Sequence, residues 1–152
     1  MTIPELDESG ELPAGIHIAT LKEVEQKFGT SSDRRKLLVS GLKTAIKQFE
    51  QVGVSRVYVD GSFTSDKEEP NDIDGCWATQ GIAENKLYIL DRDFWEFASV
   101  EEFNKCRDEI KKKYGLDFYI AEWNEGTSGK PFPEFFQTNR DGEPKGIIQI
   151  NL

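Results

Sequence analysis

Apolar residues recur at helical spacing in three stretches of the chain and at β-branched or aromatic runs in four others. Leu21, Val24 and Phe28 share one helical face behind Thr20 and Glu23, which form a capping box. The spacing predicts a helix near 21–28, stopped at Gly29. Leu38, Leu42, Ala45, Ile46 and Phe49 repeat the pattern over 33–51, with Ser31 or Ser32 as cap and Gly53 as the stop. Val100, Phe103, Cys106 and Ile110 give a helix near 100–114, opened by the Ser99 to Glu102 capping box and ended by Gly115. Runs at 56–60, 73–78, 117–123 and 146–151 read as strands. Residues 86–90 are an apolar patch, strand or extended, and Phe94, Trp95 and Phe97 are expected in the core rather than as a base-stacking platform. Helices and strands mixed in this order predict an α/β fold of the mixed α+β kind, a mixed sheet with helices packed on it. Residues 1–11 are polar and acidic and are expected to form a flexible arm, with 12–152 as a single domain. A chain of this length buries roughly 68–70% of its unfolded surface, enough for a real core.

One stretch carries chemistry. Val57-Tyr58-Val59 is a buried-strand pattern that ends at Asp60-Gly61-Ser62, a small-residue turn that lets backbone approach a ligand. Downstream, Asp72-Ile73-Asp74 leads into Cys76-Trp77. Alternate residues of a strand share a face, so Asp72 and Asp74 point the same way while Ile73 faces the core. Two like charges held together are costly without a cation between them, and the ion suited to carboxylate plus phosphate oxygens is Mg²⁺ or Mn²⁺. Backbone N–H groups at Gly61 and the Ser62 hydroxyl are placed to hold a polyphosphate. Gly75 follows the second acid, where a glycine weakens a strand or marks a bulge. Lys67, between the two motifs, is either a phosphate cation or a solvated loop lysine among Asp66, Glu68 and Glu69. Asp117, at the start of a strand, is the candidate third acid; Glu122 falls on the opposite face by parity, so only one of the two can join the pair.

Other features have quieter readings. The net charge of −9 argues against a protein that coats DNA, which needs a basic face. Cys76 and Cys106 are too few for a disulfide scaffold or a zinc site, which suits buried thiols in a reducing cytoplasm. The first residues lack an apolar core of signal-peptide type, and no stretch approaches a membrane span. His17, between Ile16 and Ile18, is expected to pack or cap. Arg34, Arg35 and Lys36 open a helix, where the dipole disfavours cations, and read as a solvated basic patch or a mark of an anionic partner. Lys111, Lys112 and Lys113 complement the other end of a helix. Gly126 to Pro131 lacks the spacing of a phosphate-binding P-loop and is expected as a mobile loop.

The order of strand, Gly61-Ser62, spacer, Asp72-x-Asp74 and a third acid on a later strand resembles the polymerase-β-type nucleotidyltransferase superfamily. The wider strings LPAGIHIAT and GSFTSDKEEPNDIDGCW look like small bacterial proteins related to the minimal nucleotidyltransferases, from about Leu12 onward. Leu116-Asp117-Phe118 fits that superfamily's apolar-acid-apolar pattern. The resemblance implies a nucleotidyltransferase-like domain with Asp72, Asp74 and Asp117 as catalytic metal ligands, and with Gly61, Ser62 and Lys67 at the phosphates. It implies Mg (or Mn) and a nucleoside triphosphate, ATP favoured, with a protein, RNA or small-molecule hydroxyl as acceptor. Relatives of this size often belong to two-gene toxin–antitoxin or defence pairs, which implies a protein partner. The alternative is the same fold without turnover, as an antitoxin or scaffold.

Overall fold

The computed structural model describes residues 3–152. It has a mixed α/β architecture, with strands β1 (Gly15–Ala19), β2 (Arg56–Asp60), β3 (Ile73–Trp77), β4 (Leu116–Ile120) and β5 (Gly146–Asn151) in one sheet. The strand order is β1-β5-β2-β3-β4. β1 runs parallel to β5 and β3 parallel to β4, while β2 is antiparallel to both of its neighbours.

Helix α1 (Leu21–Phe28) opens on the reciprocal Thr20–Glu23 capping box. Helix α2 (Asp33–Val52) is capped by the Ser32 hydroxyl and ends at Gly53, whose φ of 89° suits glycine. Helix α3 (Val100–Tyr114) starts at Ser99 and ends at Gly115, φ 72°. One sheet face, with Val57, Val59, Ile73, Trp77, Leu116 and Phe118, meets the apolar stripe of α2. Phe49 is its hub, stacked on Trp77 at 5.3 Å and edge-on to Phe94 at 4.9 Å. Each such buried side chain contributes about 1.5–3 kcal/mol through area removed from water. The other face carries Tyr58, Cys76 and Ile147, and is covered in part by Phe132 and Phe136 from the segment around the short helix α4 (Phe132–Phe135). Among the described residues, no helix is long and apolar enough to cross a membrane.

The structure departs from the sequence reading in several places. β1 is an added strand, and its alternation is inverted: Ile16 and Ile18 are exposed while His17 turns inward to pair with the Pro13 carbonyl at 2.6 Å. Residues 86–89 are not extended, and only Leu90 keeps extended backbone. The first four of the patch lie in a 3-10 turn, Glu84–Ile89, that sets Leu87 and Ile89 against the core. Gly75 makes no bulge, since the β3–β4 register runs unbroken from Ile73 to Trp77. Its glycine has a different cause: a β-carbon there would sit 2.7 Å from the Phe118 ring and overlap the Tyr58 carbonyl. Of the stretch 1–11 expected as a flexible arm, residues 1 and 2 lie outside the described residues and the rest is seated on the domain. Ile3 is buried in the core, Leu6 packs against it, and the Gly10 carbonyl accepts from the Asp66 N–H. The loop from Gly126 is a formed turn in which the Glu125 carboxylate accepts from the N–H groups of Thr127 and Ser128.

Candidate metal centre

Register alone brings most of the site together. Asp60 on β2 pairs with Asp74 on β3, and Asp74 pairs with Asp117 on β4. The three side chains therefore stand in one row across adjacent strands, on the face opposite α2. Asp72, two residues before Asp74, joins from the same side. One carboxylate oxygen each from Asp72, Asp74 and Asp117 lies within 4.8 Å of the others. Glu122 is elsewhere: its carboxylate accepts from the Thr79 N–H and hydroxyl and the Gln80 N–H, tying the exit of β3 to the end of β4.

Burial raises the electrostatic cost of this cluster. It pushes the Asp74 carboxyl up to about 7, reinforced by the charges of Asp72 and Asp117. Burial also raises Asp117, against the pull of Arg107 and Lys111. One oxygen of Asp117, Oδ1, is buried and accepts no hydrogen bond; Arg107 Nε lies 3.0 Å away without hydrogen-bonding geometry. Three carboxylates that each offer a hard oxygen donor to one point fit Mg²⁺ or Mn²⁺.

The turn after β2 is fitted to the acids. Gly61 opens a 3-10 turn, Gly61–Thr64, at φ 83°, and a β-carbon on it would overlap the Asp74 carboxylate. Arg35 holds the turn from below. It is 3% exposed, and its guanidinium donates to the carbonyls of Phe28, Phe63, Ser62, Ser65 and Lys67. The expectation of a solvated basic patch fails at this residue: Arg35 is a buried clamp whose charge is spent on the loop backbone. Nothing in the local sequence distinguishes it from Arg34, because all its carbonyl partners but Phe28 lie around 30 residues away.

Asp74, Gly61, Ser62 and Lys67 open on a cleft of about 1000 Å³. Lys130, Arg140 and Lys145 stand in its walls beside the acids Asp7, Glu11, Asp60, Asp141 and Glu143, and Phe135 and Phe136 add apolar surface. Lys145 is anchored, its Nζ lying 2.5 Å from Asp60 Oδ1 in a largely buried pair. Asp72 and Asp117 turn the other way, towards α3. There Lys111 Nζ is 3.2 Å from Asp72 Oδ2 and 3.9 Å from Asp117 Oδ2. Sequence reasoning assigned Lys111 to the helix end and passed over Arg107. The available signal was their four-residue separation, which places both on one face of α3.

No curated protein and no solved structure matches the chain. Residues 4–151 match the family of unknown function DUF6932, and the chain belongs to that family.

Proposed function

We propose that this domain is a Mg²⁺- or Mn²⁺-dependent nucleotidyltransferase that moves a nucleoside monophosphate from a triphosphate, ATP favoured, to a hydroxyl of a protein, RNA or small molecule. The observation that carries this reading is the meeting of three carboxylates, Asp72, Asp74 and Asp117, beside a glycine turn that opens on a cleft holding Lys67, Lys130, Arg140 and Lys145 among its acidic wall residues.

Asp72, Asp74 and Asp117 would hold the metal, which when bound neutralises charge on the phosphate oxygens. The cleft side receives the triphosphate. Backbone N–H groups of the Gly61 turn and the Ser62 hydroxyl bind phosphate oxygens, and Lys67 and Lys145 offset their charge. Asp117, on the α3 side, orients the acceptor hydroxyl and its carboxylate takes up the hydroxyl proton as the new bond forms. The acceptor oxygen then bonds to the α-phosphorus, the bond from that phosphorus to the bridging oxygen breaks, and pyrophosphate leaves. The polymerase-β-type pattern of the motif supports the same assignment, and with it a protein partner in a two-gene toxin–antitoxin or defence pair.

A second reading has its own support. Lys111 and Arg107 already partner two of the three acids, which suits a fold that binds a partner protein without turnover, as an antitoxin or scaffold. Transfer of label from α-³²P-labelled triphosphates to protein or RNA acceptors separates the two. Label moved by the wild type and not by Asp72→Asn/Asp74→Asn establishes the enzyme; no transfer with any of the four nucleotides in the presence of a co-purified partner favours the binding protein.

A further inference from the structure

We infer that Lys111 is an internal counter-cation of the acid cluster, a latch that a divalent ion must displace before the site is loaded; the inference rests on the metal reading of the triad.

The cluster cannot be left as bare charge. Asp117 is only 17% exposed at its side chain and Asp72 20%. Like charges confined in such surroundings are destabilising unless a cation is shared between them. Lys111 supplies that cation: its ammonium reaches both Asp72 Oδ2 and Asp117 Oδ2, two of the three candidate ligands.

The latch is also built to open. Lys111 is 46% exposed, so its long side chain can leave for water without disturbing the core. Arg107 differs. It is 27% exposed and its guanidinium lies 5.0 Å from the centre of the Tyr119 ring, which fixes it beside Asp117. The two cations thus divide the work: Arg107 stays and keeps Asp117 oriented, and Lys111 exchanges with the metal. A divalent ion that binds Asp72 and Asp117 competes with Lys111 for the same two carboxylates. Its apparent affinity is therefore reduced by the strength of that contact, and release of metal restores the ion pair rather than exposing unpaired carboxylates. Lys112, one residue on, is 74% exposed and pairs with Glu109, away from the acids.

The test is calorimetric titration of Mn²⁺, without nucleotide, into the wild type, Lys111→Gln, Lys111→Arg and Lys112→Gln. Lys112→Gln changes net charge by the same amount, so it controls for the long-range field. Lys111→Gln is expected to bind Mn²⁺ about tenfold more tightly than Lys112→Gln, a difference worth about 1.4 kcal/mol, and Lys111→Arg to stay near the wild type. Without metal, Lys111→Gln is also expected to melt at a lower temperature than Lys112→Gln, and Mn²⁺ to remove that gap. Equal or weaker Mn²⁺ binding by Lys111→Gln overturns the latch while leaving the metal site standing. Absence of Mn²⁺ binding at millimolar concentration in every protein overturns the metal reading, and the latch with it.

Discussion

Gly61 lies against the Asp74 carboxylate so closely that a β-carbon at position 61 would overlap it. The turn that offers backbone to a ligand and the acid proposed to hold a metal are thus one fitted unit. Gly61→Ala tests this. Its φ of 83° is strained for alanine, at about 1 kcal/mol or more, and the overlap adds to that cost. The variant is expected to lose Mn²⁺ and nucleotide binding while its melting temperature falls only modestly. Calorimetry beside thermal unfolding measures both.

Arg35 makes a prediction about the fold. Its guanidinium satisfies carbonyls drawn from α1 and from the turn after β2, and also lies 5.4 Å from the centre of the Phe63 ring. Arg35→Met leaves those carbonyls without their donor and is expected to cost about 3 kcal/mol in urea unfolding. Arg35→Lys is expected to recover little of it, because one ammonium cannot reproduce a planar fork that serves several acceptors.

The two acids at opposite ends of β4, Asp117 at its start and Glu122 beyond its end, separate cleanly. Asp117→Asn is expected to weaken Mn²⁺ binding by tenfold or more, since it removes a ligand charge from the cluster. Glu122→Gln is expected to leave Mn²⁺ affinity unchanged and to cost stability of about 1 kcal/mol through weaker bonds to Thr79 and Gln80. Reversal of these two effects would place Glu122 in the site instead.

Asp74 predicts a pH dependence with a definite sign. Its carboxyl sits at about 7 in the fold against 3.8 for an ordinary aspartate, so the folded protein binds more protons than the unfolded chain between those values. This group's contribution to stability is therefore fully present below 3.8 and is lost as pH rises through about 7. Thermal unfolding without metal is expected to show that decline in the wild type, and a shallower one in Asp74→Asn. Metal binding follows the opposite course. The cation competes with the proton on Asp74, so Mn²⁺ affinity is expected to rise towards pH 7 and level off above it.

Local signals in the sequence account for much of the fold. The capping box at Thr20, the cap at Ser99 and the glycine stops at Gly53 and Gly115 fall where the structure has them, although at Ser99 the Glu102 carboxylate accepts from the Ala98 N–H and the reciprocal box is not closed. Strand parity sets Asp117 and Glu122 on opposite faces without choosing between them, and the structure separates them by another route, since β4 ends at Ile120 and Glu122 lies in the turn beyond it. What escaped depends on contacts distant in the chain. β1 exists because it pairs with β5, from the other end of the sequence, and its exposed isoleucines hide the usual alternation. Gly75 looks like a strand breaker until Phe118 is placed against it. Arg35, Arg107 and Lys111 read as surface charge because the carbonyls and carboxylates they meet belong to other elements. The Asp60–Lys145 pair joins positions 85 residues apart and has no local signature.

The central claim is that the Asp72, Asp74 and Asp117 cluster binds a nucleoside triphosphate through a divalent metal. Calorimetric titration of ATP, GTP, CTP and UTP, with and without Mg²⁺, into the wild type and Asp72→Asn/Asp74→Asn tests it most directly. The account predicts binding of at least one nucleotide, ATP first, that requires Mg²⁺ and is lost in the double variant while the fold is kept. Binding that ignores Mg²⁺, or that survives in the double variant, would contradict it, as would no binding by the wild type at millimolar nucleotide.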